Sequence, residues 1–417
     1  MDQRNESRDY PKSDSSEKLQ DSESRNSFPD PESIQNGKLA AVLAEKEDAI
    51  RRACKMRDLD ALVSYASSEG GFLRDDLRQL AWPILLQSDR DQKPTAWEDL
   101  SPHADEEQIQ LDVNRSFVYY PTCTDDELSS KKDELSVLIK QVLRHYPMLC
   151  YFQGYHDIVQ VLLLVLGGQQ AAPAVTRLSL FRIRDYMLPS LSPTVKHLQL
   201  IPAIMEKADP VLRHHLADIK PFFALAATLT LYAHDIQEYS DIARLFDFLL
   251  AQEPVVSIYL FVAIILSRKK ELLEIPEDEP EMLHFMLSKL PCPLDLEGLI
   301  SSAVQLFDDY PPESLAFGAW KKIPQISVLK SSRDIFRTQT MEEAIDLFER
   351  QARRQRYEEQ KEKAVRFLWH HRRTIGTVAI TIAVGIMSVW MRKKGFDMTI
   401  WSYFNRFKLA FQSHDLF

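Results

Sequence analysis

Apolar residues recur at helical spacing through most of the chain. In 131–146, Leu135, Leu138, Ile139 and Val142 share one face with Lys and Asp between them, which predicts an amphipathic helix ending near Pro147. The apolar runs 157–166, closed by Gly167-Gly168, and 255–266 are too short to span a bilayer and predict buried core helices. Periodicity begins near Leu39, so 38–69 is expected to be a helical lead-in. Residues 1–37 are rich in Ser, Asp, Glu, Asn and Pro and almost without large aliphatics, and are expected to be disordered. The acidic, Pro-containing stretch 275–290 reads as a loop, followed by helices to about residue 318. Residues 319–373 read as a linker containing a solvated, charged helical stalk over 341–366, with Glu–Arg and Glu–Lys pairs at helical spacing. The fold class is all-α.

Thr374 to Met391 carry no charge over 18 residues, between Arg372-Arg373 and Arg392-Lys393-Lys394. At ~1.5 Å per residue this is about 27 Å of helix, the length of a transmembrane span in a thin bilayer such as the endoplasmic reticulum. Basic residues on both sides leave the positive-inside rule ambiguous. No apolar segment opens the chain as a signal peptide would, so the expectation is a single-pass tail anchor with the N-terminal part cytosolic. In 392–417, Ile400, Phe404, Phe407 and Phe411 share a helical face. This predicts an amphipathic tail that lies in the interface or packs on a partner, either lumenal or folded back to the cytosolic side.

The net charge of −10 argues against nucleic acid as the main partner. Cys54, Cys123, Cys150 and Cys292 are scattered without a CxxC pair, as free thiols are and as disulfide frameworks and zinc sites are not. There is no GxxxxGK[ST], HExxH or EF-hand loop, so neither a resident nucleotide nor a metal is expected.

Two short motifs remain. Ile109, Asp112 and Arg115 form IxxDxxR, and Tyr151, Gln153 and Gly154 form YxQG, with Gln153 38 residues after Arg115. Taken alone, Arg115 reads as a surface arginine paired to Asp112, and Gln153 as a polar residue beside a glycine turn. Taken together, they offer a guanidinium that can neutralise charge on a transferring phosphoryl group and a carboxamide that can orient water. Asp112 can orient the guanidinium, and Tyr151 can pack the loop that presents Gln153. His156-Asp157 could suggest general-base chemistry but lacks a nucleophile motif, and Cys150 reads as packing. Arg78 and Trp82, i and i+4, read as an Arg–Trp stack in the core wall, and Arg244 with Asp247, i and i+3, as a structural ion pair.

The order and spacing of the two motifs resemble the TBC family of Rab GTPase-activating proteins. The resemblance extends over 70–318, through Arg78, Trp82, Phe222-Phe223-Ala224-Leu225, Arg244 and Asp247, although Gly71-Phe72-Leu73 stands where the family usually has Gly-Ile-Pro. It implies a two-lobed helical TBC domain, followed by the stalk and one C-terminal transmembrane helix. It also implies that Arg115 and Gln153 enter a Rab GTPase's nucleotide site as two fingers. GTP and Mg would come with the Rab, and the chain would be an activator with no cofactor of its own. The anchor, with Phe152 and Tyr155-His156-Asp157 around the glutamine, resembles the endoplasmic-reticulum branch, which implies a GTP-bound Rab-one type partner and residence on the endoplasmic reticulum or early Golgi membrane. A non-catalytic, membrane-anchored Rab-binding scaffold is the alternative.

Overall fold

The computed structural model describes residues 31–90 and 96–393, and all regular structure in them is helical. The chain divides into two units between Ala49 and Ile50, so 70–318 lies wholly in the second. The first helix is Pro31–Met56. It begins inside the stretch expected to be disordered, with Pro31 at the first helical position, where a missing N–H is tolerated. Residues 1–30, most of the expected disordered segment, lie outside the described residues.

In the second unit the Tyr155–Phe181 helix packs against Asp125–His145 on one side and Asp75–Leu85 on another. Asp125–His145 starts earlier than its apolar stripe suggests, because Thr124 and Glu127 form a reciprocal capping box. The run 157–166 stops at Gly167, where φ 71° and ψ 160° are non-helical. Helix resumes beyond this break and carries Pro173 in its interior. Tyr155–Phe181 is long and apolar enough to cross a membrane, yet it is mostly buried in protein, as the core reading of its first part requires. Val256–Ser267 is buried on nearly all sides and packs along Leu296–Asp309. Within the expected loop 275–290, Pro280–Leu287 is helical, with Pro280 at its first turn and Leu283 and Leu287 buried.

The charged stalk needs a larger correction. Met341–His370 is one helix, but Ala344, Phe348, Gln351, Ala352 and Gln355 are buried against the body. Gln351 donates from Nε2 to the buried Asp185 at 2.7 Å and accepts from Arg184 at 3.1 Å. Asp185 also accepts from Ser327 Oγ, the Val328 amide and the His197 ring, at 2.5, 3.1 and 2.9 Å. Only beyond residue 360 do the described side chains stand in solvent throughout. The helix docks because Gln351 satisfies the buried Arg184 and Asp185 side chains and Gln355 bonds to Ser190, a pattern that reads as surface in a polar sequence. After His371 follows the helix Arg372–Lys393, which contains the uncharged segment 374–391. Side chains over 381–390, including Ile382, Ile386 and Trp390, are exposed. The amphipathic tail expected over 392–417 lies outside the described residues from 394 onward.

Candidate functional site

Arg115 follows the Glu106–Val113 helix, and Gln153 stands before Gly154, the cap of Tyr155–Phe181. Both line one open groove of about 670 Å³, with Asp112, Gly154, His156 and Asp157 on one side and Phe222, Leu225, Leu229, Thr230 and His234 on the other. Val118, Tyr119 and Phe222 expose large apolar surfaces on this groove, which suits a protein partner better than a small solute.

Asp112 ties the two motifs together. It is 1% exposed, whereas the Arg115 side chain is 67% exposed. Oδ1 of Asp112 accepts from Arg115 Nη2 at 2.7 Å and from Gln108 at 3.1 Å, and Oδ2 accepts the Tyr151 hydroxyl at 3.0 Å. The buried carboxylate is thereby satisfied, and the guanidinium is held by one edge. Arg115 Nε reaches the Leu111 carbonyl at 3.3 Å, leaving Nη1 for a ligand in the groove. Ile109 is fully buried beneath this turn. The loop after Arg115 passes through Phe117 at φ 60°, where the Phe117 amide donates to Gln160 Oε1 at 3.0 Å. The two motif segments are therefore tied twice, by Tyr151 to Asp112 and by Gln160 to Phe117.

Gln153 is exposed, and its carboxamide has no hydrogen-bond partner among the described residues. The turn beneath it is tightly specified. Gly154 has φ 100°, and a Cβ there would come within 2.5 Å of Thr230 Cγ2, so both backbone conformation and space demand glycine. The Tyr151 amide donates to Asp105 at 3.0 Å, and Tyr151 packs edge-on against Tyr155. Burial and the neighbouring Asp112 charge push the Tyr151 phenol far above its ordinary pKa, so it stays protonated. Burial lowers the His156 pKa against the opposing pull of Asp157. His234 is raised, chiefly by its 3.0 Å hydrogen bond to Asp157, which outweighs its partial burial.

The other four singled-out residues do not face the groove. Arg78 and Trp82 do not stack on one another. Both donate to Asp247 Oδ1, from Nε at 3.0 Å and Nε1 at 2.8 Å, and the Phe72 amide donates to Oδ2 at 3.0 Å. Arg244 is not paired with Asp247. It grips Glu297 through two bonds of 2.7 and 2.8 Å and donates to the carbonyls of Ala66 and Ser68. A Cβ on Gly71 would lie 2.5 Å from Asp247 Oδ2, which explains the glycine opening this segment. These residues fasten the start of the domain to the Tyr239–Ala251 helix.

Sequence reasoning missed Thr230, His234, Gln160 and Phe117, which carry no motif. The Phe222-Phe223-Ala224-Leu225 stretch was the one sequence signal pointing at the far wall. Among the described residues no cluster of three metal-ligating side chains occurs.

Comparison with known proteins decides the family. The Rab-GTPase-TBC domain matches residues 75–273. The GTPase-activating protein gyp10 of Schizosaccharomyces pombe is 33% identical over 299 residues, spanning 70% of this chain and 80% of that protein. The chain belongs to the Rab-GTPase-TBC domain family. TBC1 domain family member 20 of Homo sapiens is 36% identical over 264 residues, 62% of this chain and 65% of that protein's length. The crystal structure of the Ypt/Rab-GAP domain of Gyp1p superposes with a TM-score of 0.51 at 14% identity, covering 60% of this chain and 93% of that one, and supports the TBC fold alone. Both motifs of this TBC chain fall inside the matched 75–273.

Proposed function

We propose that this protein is a GTPase-activating protein for Rab-type GTPases, contributing Arg115 and Gln153 in trans to a partner's nucleotide site. The observation that carries the reading is their shared groove, with the guanidinium held from one edge by a buried carboxylate and the carboxamide exposed on a rigid turn. Relatives named as GTPase-activating proteins support it. In this reading Nη1 of Arg115 donates to the oxygens on which charge develops as the γ-phosphoryl leaves. Gln153 orients the attacking water in place of the GTPase's own glutamine. GTP and Mg belong to the partner. An arginine finger is worth about 10³–10⁵ in rate.

The finer part of the proposal is a Rab-one type substrate and a site of action on the endoplasmic reticulum or early Golgi membrane. The similarity to TBC1 domain family member 20 and the residues around Gln153 favour that substrate class. For the membrane, the support is the Arg372–Lys393 helix, whose apolar side chains over 381–390 are exposed among the described residues. Anchoring would confine activator and prenylated GTPase to one surface and raise their effective concentration.

The test is GTP hydrolysis by a panel of GTP-loaded Rabs with the full chain in detergent micelles, together with flotation on vesicles with and without residues 372–417. Acceleration confined to Rab-one type substrates, with flotation lost on deletion, is expected. Binding of GTP-loaded Rabs without acceleration would establish the scaffold instead.

A further inference from the structure

The hydroxyl of Tyr151 lies 3.0 Å from Asp112 Oδ2 and 3.0 Å from His156 Nδ1. A phenol has one proton, so it can donate to only one of them. Asp112 is a buried carboxylate and the stronger acceptor, so the hydroxyl proton goes there. The 3.0 Å contact with His156 then requires the ring to donate from Nδ1 into the hydroxyl oxygen, which assigns the tautomer. His156 Nε2 stands 3.3 Å from Asp157 Oδ1 without hydrogen-bond alignment, and the other oxygen of Asp157 is taken by His234. The Asp157 charge draws the proton toward Nε2 but offers it no aligned hydrogen bond, whereas a proton on Nδ1 has the Tyr151 oxygen as its acceptor.

His156 is itself almost fully buried and stands three residues after Gln153, on the first turn of the helix that the glutamine precedes. We infer that His156 is a positioning residue for the two fingers: its Nδ1–H orients the Tyr151 hydroxyl onto Asp112, which fixes the Arg115 guanidinium and the Gln153 turn in one register. In this role it acts through the Tyr151 hydroxyl and not on the reacting atoms. The groups facing it are Asp112 and Arg115 from the finger helix and its flank, Asp157 on its own helix, and His234 across the groove. The inference rests on the activator reading above.

The experiment is single-turnover hydrolysis by a GTP-loaded Rab-one type GTPase at varied concentrations of the full chain in micelles, giving kcat and KM. The variants are His156→Phe, His156→Asn, Tyr151→Phe, the double Tyr151→Phe/His156→Phe, and Arg115→Ala. His156→Phe is expected to lower kcat about three- to tenfold, the size of one hydrogen bond, with KM little changed. His156→Asn keeps an amide N–H and is expected to recover most of the loss. The double variant is expected to be no worse than Tyr151→Phe alone, because His156 acts through that hydroxyl.

Multiplying losses in the double variant would overturn the inference. So would a change confined to KM, or an Asn variant as poor as Phe. Should His156→Phe fail to fold, the Asn and Tyr151→Phe variants still decide. If Arg115→Ala retains full acceleration, the activator reading fails and takes the inference with it. That failure differs from one in which Arg115 matters and His156 does not.

Discussion

The hydroxyl of Tyr151 donates at 3.0 Å to the same carboxylate of Asp112 whose other oxygen holds Arg115 at 2.7 Å. One buried acid thus couples the arginine of the first motif to the segment carrying the glutamine of the second. Asp112→Asn keeps the shape but loses the charge that orients the guanidinium. Charge-assisted bonds are worth about 1.5–3 kcal/mol, so kcat for Rab GTP hydrolysis is expected to fall roughly 10–100-fold. The check is the same assay beside a thermal melt, which should move far less than the rate.

Gly154 is held by both its conformation and its neighbour. Gly154→Ala would place a methyl 2.5 Å from Thr230 Cγ2 at a φ of 100°. The expected loss is about 1–3 kcal/mol of stability, with displacement of Gln153 and reduced acceleration. Adding Thr230→Ala should relieve the clash but leave the backbone strain, so denaturant unfolding should show partial recovery only.

The first part of the Met341–His370 helix belongs to the folded body. Gln351→Ala would leave the buried Arg184 and Asp185 each short of a partner, at a cost of about 1–3 kcal/mol. A chain ending at residue 340 should unfold at markedly lower temperature than one ending at 371. Equal melting temperatures for the two would refute the docking.

These cases show what was legible in the sequence. The all-helical class and the motif pair were readable because helical periodicity and short-range spacing are local signals. The partners of Asp247 were not, since Arg78 and Trp82 suggest a stack by their i, i+4 spacing yet both point at a carboxylate distant in the chain. Nor was the docked stalk, because Gln351 and Gln355 look like surface residues until the buried Arg184 and Asp185 and the Ser190 carbonyl are brought against them. Thr230 carried no signal at all. Its role follows from three-dimensional apposition to Gly154.

The groove also carries a pH dependence. The hydrogen bond to Asp157 raises the folded-state pKa of His234. Its contribution to stability is therefore fully present below the unfolded value of about 6.5 and is lost as pH rises through the higher folded value. The difference in melting temperature between the protein and His234→Ala is expected to be larger at about pH 6 than at about pH 9. A difference that grows with pH would contradict the assignment.

The most direct test of the whole account is GTP hydrolysis by a GTP-loaded Rab-one type GTPase with the unaltered chain, Arg115→Ala, Arg115→Lys and Gln153→Ala. The account expects strong acceleration, lost by about 10³-fold or more in Arg115→Ala, poorly restored by Lys, and also largely lost in Gln153→Ala, with all four proteins equally folded. Acceleration that survives both alanine variants would contradict it.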